Sequence, residues 1–356
     1  MTKGNIENSV LKGIRYLQDH QYPNGEFCCY IGQDDEMKMC ITQSNIFPTS
    51  LISYSILHLR HIPEASEILD KACAFLQYQA MRGGVWNNFT ILNPLFRICP
   101  PDVDNTVCAS LVLQKLDKHH HPNKELILAN CNETGLFYTW FTLRPKFNRM
   151  KNYWLLILRE FKHPIGTFLF WKNTEATRYD VDAAVNANIL YYLGLNEQTA
   201  PIVDYMLDII AKKKENDCDS WYCNPFTIYY FFSRNYKAGI QELEPAAKTI
   251  VERILATLKN DHSIGESILD TALGVISLIN CGYHSILLEK TIEYIIDQQK
   301  HSGGWHRWAV YYGGPKKRLT YGSEEMTTGF CLEALALYNL QLQEGNINHS
   351  DYLELT

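Results

Sequence analysis

The sequence predicts an all-α fold, an (α/α)6 barrel in which outer and inner helices alternate around a ring. Three observations predict it. Apolar residues recur at three- and four-residue steps through most of the chain, the helical segments alternate between charged and nearly uncharged, and a glutamine–glycine–aromatic pattern returns after the charged ones. With 356 residues and no low-complexity linker, the chain suits one closed ring, so residues 1–356 are expected to form a single catalytic barrel domain.

The helices pair in order. Residues 6–19 are amphipathic and precede the charge-poor 47–59, which is entered through Asn45 and Pro48. Residues 64–79 precede 104–116, entered through Asp102 and Asp104. Residues 148–161 precede 182–193 after Asp180 and Asp182, and 199–214 precede 225–234 after Asn224 and Pro225. The fifth pair is 244–259, with Ile250, Ile254, Leu255 and Leu258 on one face, and 269–280, beginning at Asp270. The sixth is 286–300 and 326–340, the latter behind Ser323, Glu324 and Glu325. A helix with one wet side lies outside, and one apolar almost all round is enclosed. The polar entries are cap and first-turn residues. Inner helices of such a ring run parallel, so their N-termini gather at one mouth and acidic groups from different hairpins converge there.

Gln21 to Gly25 and Phe27, Gln299 to Gly303 and Trp305, and more loosely Gln79 to Gly83 and Trp86 follow the first, sixth and second outer helices. Glycine fits a left-handed helix stop, and the ring beyond it can fold back over the helix end. Residues 117–147 form the longest irregular stretch. Its His119, His120 and His121 read as a solvated loop, because adjacent side chains rarely converge on one ion. Lys316, Lys317 and Arg318 read as a solvated turn or as a receiver for an anionic part of a substrate.

Lys and Arg number 33 against 39 Asp and Glu, and this net charge of −6 argues against nucleic acid, which calls for a cationic field. The eleven cysteines lack the paired spacing of a zinc site, and no metal is expected. Met1 to Ser9 carries no apolar leader, and no run reaches the roughly 18 apolar residues of a spanning helix. A cytoplasmic protein is expected, soluble or in peripheral contact with a membrane face. The 22 Tyr, 15 Phe and 7 Trp are many for this length, which points to a function that uses rings.

The most specific motif is Pro100-Pro101-Asp102-Val103-Asp104-Asn105-Thr106 at the entry to the second inner helix. It resembles the Asp-x-Asp-Asp-Thr-Ala motif of the class II terpene cyclases, the squalene–hopene cyclase group, which lies at this place in their catalytic barrel. The preceding Gly83-Gly84-Val85-Trp86-Asn87-Asn88-Phe89 is similar to the family's segment, and the Gln-x-x-x-Gly-x-Trp copies look like its QW repeats. The resemblance implies a single-barrel cyclase acting on a linear terpenoid or meroterpenoid precursor. Catalysis would start by protonating an alkene from Asp104, which matches the middle aspartate of the motif. Asn105 stands where the family has another Asp, and Val107 where it has Ala. No cofactor is implied, and Mg2+ enters only if the substrate carries a diphosphate.

Physical chemistry sets matching requirements. A solvated Asp has a pKa of about 3.9 and is ionised at neutral pH. Enclosure beside other carboxyls keeps one protonated, and donors to the oxygen that will bear charge sharpen its acidity. Asp102, Asp104 and Asp182 are the candidate carboxyls, with Asn105 beside them; the alternative role for Asp102 and Asp104 is helix capping alone. Asp182 and Asn186 share a face of the third inner helix, within Asp180-Val-Asp182-Ala-Ala-Val-Asn186-Ala-Asn188. Either they pair inside the wall, or one orients the acid where related cyclases use a polar residue, typically His.

A carbocation survives beside an aromatic face, which stabilises it by about 0.5–2 kcal/mol per contact, and not beside a carboxylate. The candidate rings are Trp86, Phe89, Trp221, Phe226, Tyr229, Trp305, Trp308, Tyr311, Tyr312 and Phe330. The partner is thus a hydrophobic isoprenoid small molecule. Competing readings share the barrel. A prenyltransferase-like enzyme would need zinc near Cys218 and Cys223, a carbohydrate-active enzyme would work with two carboxylates such as Asp104 and Asp182, and an interaction scaffold would need neither.

Overall fold

The computed structural model describes residues 3–144, 149–174 and 176–353. Its inner helices are α2 (Phe47–Ser55), α4 (Val103–Lys115), α8 (Ala183–Leu193), α10 (Pro225–Lys237), α12 (Ile268–Asn280) and α14 (Glu324–Leu353). Each packs on the next and α14 packs on α2, closing the ring. Outside lie α1 (Lys3–His20), α3 (Pro63–Gln79), α9 (Ala200–Ala211), α11 (Glu244–Leu255) and α13 (Ile286–Asp297). The fold is therefore the expected (α/α)6 barrel. Inner helices are buried on every side, as in α12, where Leu269 to Asn280 are all enclosed.

The third outer position departs from the expectation. It is occupied by the short α5 (Lys124–Ala129) inside the stretch read as irregular, and not by 148–161. A recurring hydrogen bond decides the assignment. In five repeats, the backbone N–H of an apolar residue beyond the turn donates to a side-chain oxygen near the start of the following inner helix; the turn holds a glycine in four of them and His262 at positive φ in the fifth. Phe27 meets Thr49 at 3.0 Å, Trp86 meets Thr106 at 3.0 Å, Ile264 meets Thr271 at 3.1 Å and Trp305 meets Thr328 at 3.1 Å. The third member is Phe137 with Asn186 at 2.9 Å, and Phe137 follows α5. Residues after it form an insertion carrying α6 (Lys151–Ile157), a 3-10 turn at Leu158–Lys162 and α7 (Pro164–Asn173). Asn148 of the expected helix, and 145–147 of the stretch before it, lie outside the described residues. An amphipathic period marks a helix with one wet face, whichever layer it joins.

The glutamine–glycine copies explain how the outer layer closes. Gln299 donates to the carbonyls of Gly303 and, on α1, Ser9, at 2.8 and 2.9 Å. Gln21 does the same with Gly25 and, on α3, Ile68, at 3.1 and 3.0 Å. Each glycine has positive φ, and a Cβ there would stand 2.4 Å from the Lys12 carbonyl oxygen at Gly303 and 2.1 Å from that of Lys71 at Gly25. Only glycine permits both the conformation and the approach.

A small sheet adds β-structure to the expected all-helical picture. Strands β1 (Cys29–Gly32), β2 (Cys40–Gln43), β3 (Tyr311–Gly313) and β4 (Leu319–Gly322) are antiparallel in the order β2-β1-β4-β3. Strands of three or four residues are too short to show a period of two. Pairing β1 with β4 ties the first repeat to the last at the mouth where the inner helices begin. No helix among the described residues is long and apolar enough to cross a membrane.

Candidate active site

A cavity of about 440 Å3 opens at the N-terminal end of the inner helices. Its wall takes Phe47 from α2, Asp102, Asp104 and Asn105 from the entry to α4, Val185 from α8, Trp221 and Tyr222 from the segment before α10, and Tyr311, Tyr312 and Tyr321 from the sheet. The inserted α7 brings Leu169, Phe170 and Asn173 over it. Trp140 stands among Phe170, Trp171 and Trp221, edge-on to each, at 5.6, 5.7 and 5.6 Å between ring centres.

Asp104 sits in the first turn of α4 and is buried. Asn188 Nδ2 donates to its Oδ1 at 2.7 Å, and the Tyr222 hydroxyl donates to its Oδ2 at 2.5 Å. Cys108, one turn on, places its sulfur 3.9 Å from Oδ1. Burial pushes the Asp104 carboxyl above the usual range, and the donors from Tyr222 and Asn188 and the charge of Arg234 pull against it. Asp102 caps α4, accepting from the Asn105 N–H at 2.7 Å and from the Asn105 side-chain amide on both oxygens at 3.0 Å. Burial pushes Asp102 up to about 8, helped by the neighbouring Asp104 and opposed by the Asn105 donors. Capping and the cavity wall are therefore both roles of this aspartate. Asn105, with its carboxamide, supplies a donor that a third Asp would supply only when protonated.

Asp182 and Asn186 were expected to pair with each other or to orient the acid, and neither lines the cavity. Asn186 exchanges hydrogen bonds with the Phe137 backbone and donates to the Asp182 carbonyl, because it holds the repeat position that Thr holds elsewhere. Asp182 accepts from Thr139 at 2.6 Å and from the Ser220 N–H at 2.8 Å. Burial pushes it up to about 6. Beside it Asp219 accepts from the N–H groups of Ala184, Trp221 and Tyr222. Together these two carboxyl groups grip the segment 219–222, which carries Trp221 and Tyr222 into the cavity. Asp182 is thus linked to Asp104 through this segment and Tyr222.

Among the expected rings, Phe89, Trp221, Tyr311 and Tyr312 line the cavity. Trp86 and Trp305 are fully buried in the wall, where their indole N–H groups donate to the carbonyls of Leu76 and Ile295 at 2.8 and 2.7 Å. Tyr229 points to Glu215, Phe226 packs on Tyr229, Phe330 packs edge-on to Tyr230, and Trp308 packs against the core. These six fill the wall: Phe226, Tyr229 and Phe330 sit on sides of inner helices turned away from the cavity, and Trp86, Trp305 and Trp308 lie in connections packed against the core.

No family model matches the sequence, and no curated protein matches it. Solved structures do. A protein from Actinoplanes shares 15% identity over 93% of this chain and 99% of its own, with a TM-score of 0.68. Type II terpene cyclase MstE from Scytonema shares 14% over 94% and 98%, with a TM-score of 0.67. The ent-copalyl diphosphate synthase from Streptomyces platensis shares 16% over 82% of this chain and 50% of its own, with a TM-score of 0.55. The fold is that of the type II terpene cyclases. MstE has been solved with its substrate, geranylgeranyl dihydroxybenzoate, and with its product, merosterolic acid A.

Within this cyclase fold, Asn188, Tyr222, Phe47, Trp140, Phe170 and Tyr321 are site residues that the sequence reading did not select. Asn188 had a signal: it lies six residues after Asp182 on the same inner helix, and Asp104 receives its amide. Phe47 is the first residue of α2, and the others enter from loops, the sheet and the insertion, where no helical spacing points at the cavity. Among the described residues no group of three His, Cys, Asp or Glu side chains is placed to hold a metal ion.

Proposed function

We propose that the chain is a class II terpene cyclase that closes rings in a linear polyprenyl substrate, terpenoid or meroterpenoid, with Asp104 as the general acid. The observation that carries this reading is the position of Asp104. Its buried carboxyl faces an aromatic-walled cavity while both oxygens accept hydrogen bonds from neutral donors, Asn188 and Tyr222.

Burial favours the neutral acid, and the two donors favour the carboxylate that proton transfer leaves behind. The proton on Asp104 adds to a terminal alkene carbon or opens a terminal epoxide, leaving a tertiary cation. Internal alkenes then attack in sequence, each closing a ring and passing the charge along. Loss of a proton or capture by an internal nucleophile ends the cascade, so a cyclised alkene has the mass of its substrate. Nine rings around the chamber, Phe47, Phe89, Trp140, Phe170, Trp221, Tyr222, Tyr311, Tyr312 and Tyr321, offer π faces to the migrating charge and exclude water. A substrate diphosphate, if present, is retained.

The test incubates purified protein with farnesyl and geranylgeranyl compounds, with and without diphosphate or aromatic heads, and seeks isomers of unchanged mass. Product that vanishes in folded Asp104→Asn supports the assignment. Undiminished product from that variant removes it.

A further inference from the structure

We infer that Arg234 is the positioning residue of this acid: through Asn188 it fixes the amide that makes Asp104 a stronger proton donor. The inference rests on the function proposed above and concerns a group deeper in the barrel than the cavity wall.

Arg234 lies on α10 and is buried. Its guanidinium carbon stands 4.7 to 5.0 Å from the ring centres of Tyr54, Tyr191, Tyr230 and Phe231. Nη2 donates to Asn188 Oδ1 at 2.5 Å, while Nε finds no partner among the described residues. A cation taken out of water costs several kcal/mol, and π faces return only part of that. An apolar side chain would fill the same cage more favourably, so stability alone does not account for an arginine here.

Its chemistry does. Guanidinium is donor-only, whereas an Asn amide has an accepting and a donating end. Arg234 therefore dictates that Oδ1 of Asn188 faces α10, and this turns Nδ2 toward Asp104 Oδ1. With Asn188 on Oδ1 and Tyr222 on Oδ2, each oxygen of Asp104 meets a donor, and both contacts favour the anion over the neutral acid. Freed from Arg234, Asn188 can turn over and accept from the protonated carboxyl, which would stabilise the neutral acid and weaken it. The arginine thus sets the sign of the Asn188 contribution, and its charge reinforces it. The other groups facing Asp104 are Asp102, Cys108 and Tyr222. Those facing Arg234 are Tyr54, Tyr191, Tyr230, Cys108 and Glu333. Glu333 reaches the cage through the Tyr230 hydroxyl at 3.1 Å.

The experiment titrates Asp104 directly, by 13C NMR of protein labelled at the Asp carboxyl carbon, with the signal assigned by its loss in Asp104→Asn. Arg234→Met is expected to raise the Asp104 midpoint by about one pH unit or more, a factor of about ten in acidity. Any cyclisation turnover should fall about as far, with KM little changed. Arg234→Lys should fall between, since it keeps the charge and loses the fixed fork. Asn188→Leu should raise the midpoint likewise, and adding Arg234→Met to it should change nothing further. If Arg234→Met does not fold, Arg234→Lys and Asn188→Leu decide the matter by the same midpoint. An unmoved midpoint in a folded Arg234 variant, or full additivity in the double variant, overturns the relay. The titration needs no turnover. Failure of the cyclase reading, seen as product undiminished by Asp104→Asn, is therefore distinguishable from failure of the relay.

Discussion

Replacing Tyr222 by Phe removes one oxygen from the site and leaves its packing. The ring stays edge-on to Phe231 at 5.2 Å and tilted against Phe47 at 6.2 Å. What is lost is the donor 2.5 Å from Asp104 Oδ2. A hydrogen bond to a charged group is worth about 1.5–3 kcal/mol, and it stabilises the carboxylate more than the neutral acid. At 1.36 kcal/mol per unit, the Asp104 pKa should rise by roughly one to two units. Two signatures follow together. Plateau turnover falls by about 10- to 100-fold where proton transfer limits the rate, and the alkaline limb of the pH–rate profile moves to higher pH, because the protonated acid persists longer. The assay is cyclisation of a prenyl substrate across pH, with folding checked by circular dichroism. Unchanged turnover, or a limb that moves down, would refute the reasoning that Tyr222 serves the conjugate base.

Asn105→Asp, which restores the residue usual in the resembling motif, removes the amide that donates to both Asp102 oxygens and adds a carboxyl beside it. It should cost about 1–3 kcal/mol at neutral pH and less in acid, as read from urea unfolding at pH 5 and pH 8. Asp102 itself, at about 8 in the fold against an unfolded value of 3.8, contributes stability that is complete below about pH 4 and lost as pH rises toward 8. Asp102→Asn keeps a capping side chain and should flatten that slope in melting temperature against pH. Trp86→Phe leaves the Leu76 carbonyl without its indole donor, so it should lower stability by roughly 1–3 kcal/mol while product pattern stays the same. Gly303→Ala, at φ +97° and against the Lys12 carbonyl, should destabilise by more than about 1 kcal/mol, seen as a lowered urea midpoint.

The ring was legible in the sequence because enclosed and exposed helices differ in charge over a dozen residues at a time. The acid motif was legible because it caps an inner helix at the mouth. The third outer helix was not: α5 is six residues long, and the insertion after it carries a longer amphipathic stretch that meets the same pattern. Asn186 looked like a site residue because a polar group on an apolar helix needs a partner. Its partner proved to be the Phe137 backbone, supplied by a loop 49 residues away in sequence. Tyr222 was hidden for the converse reason. It lies in a short connection, and only the grip of Asp182 and Asp219 on that connection aims it at Asp104.

On the proposed function, Asp104 must satisfy two opposed demands, and the barrel separates them in space. Staying neutral at working pH calls for removal from water, which the inner helices and the aromatic wall provide. Releasing the proton calls for stabilising the anion once formed, and a solvated lysine or arginine beside Asp104 would ionise it beforehand. The site instead presents neutral donors, Tyr222 and the Asn188 amide, and keeps the cationic Arg234 one residue behind the amide. The N-terminus of α4 adds its partial positive charge on the same side. Of these contributions, desolvation raises the Asp104 pKa most and each donor lowers it by less. On this reading burial favours the neutral carboxyl against the contributions of Tyr222, Asn188 and Arg234, all of which favour the anion. Among the described residues the cavity lining carries nine rings and no carboxyl besides Asp102 and Asp104, so on the proposed reading a cation formed there meets π density.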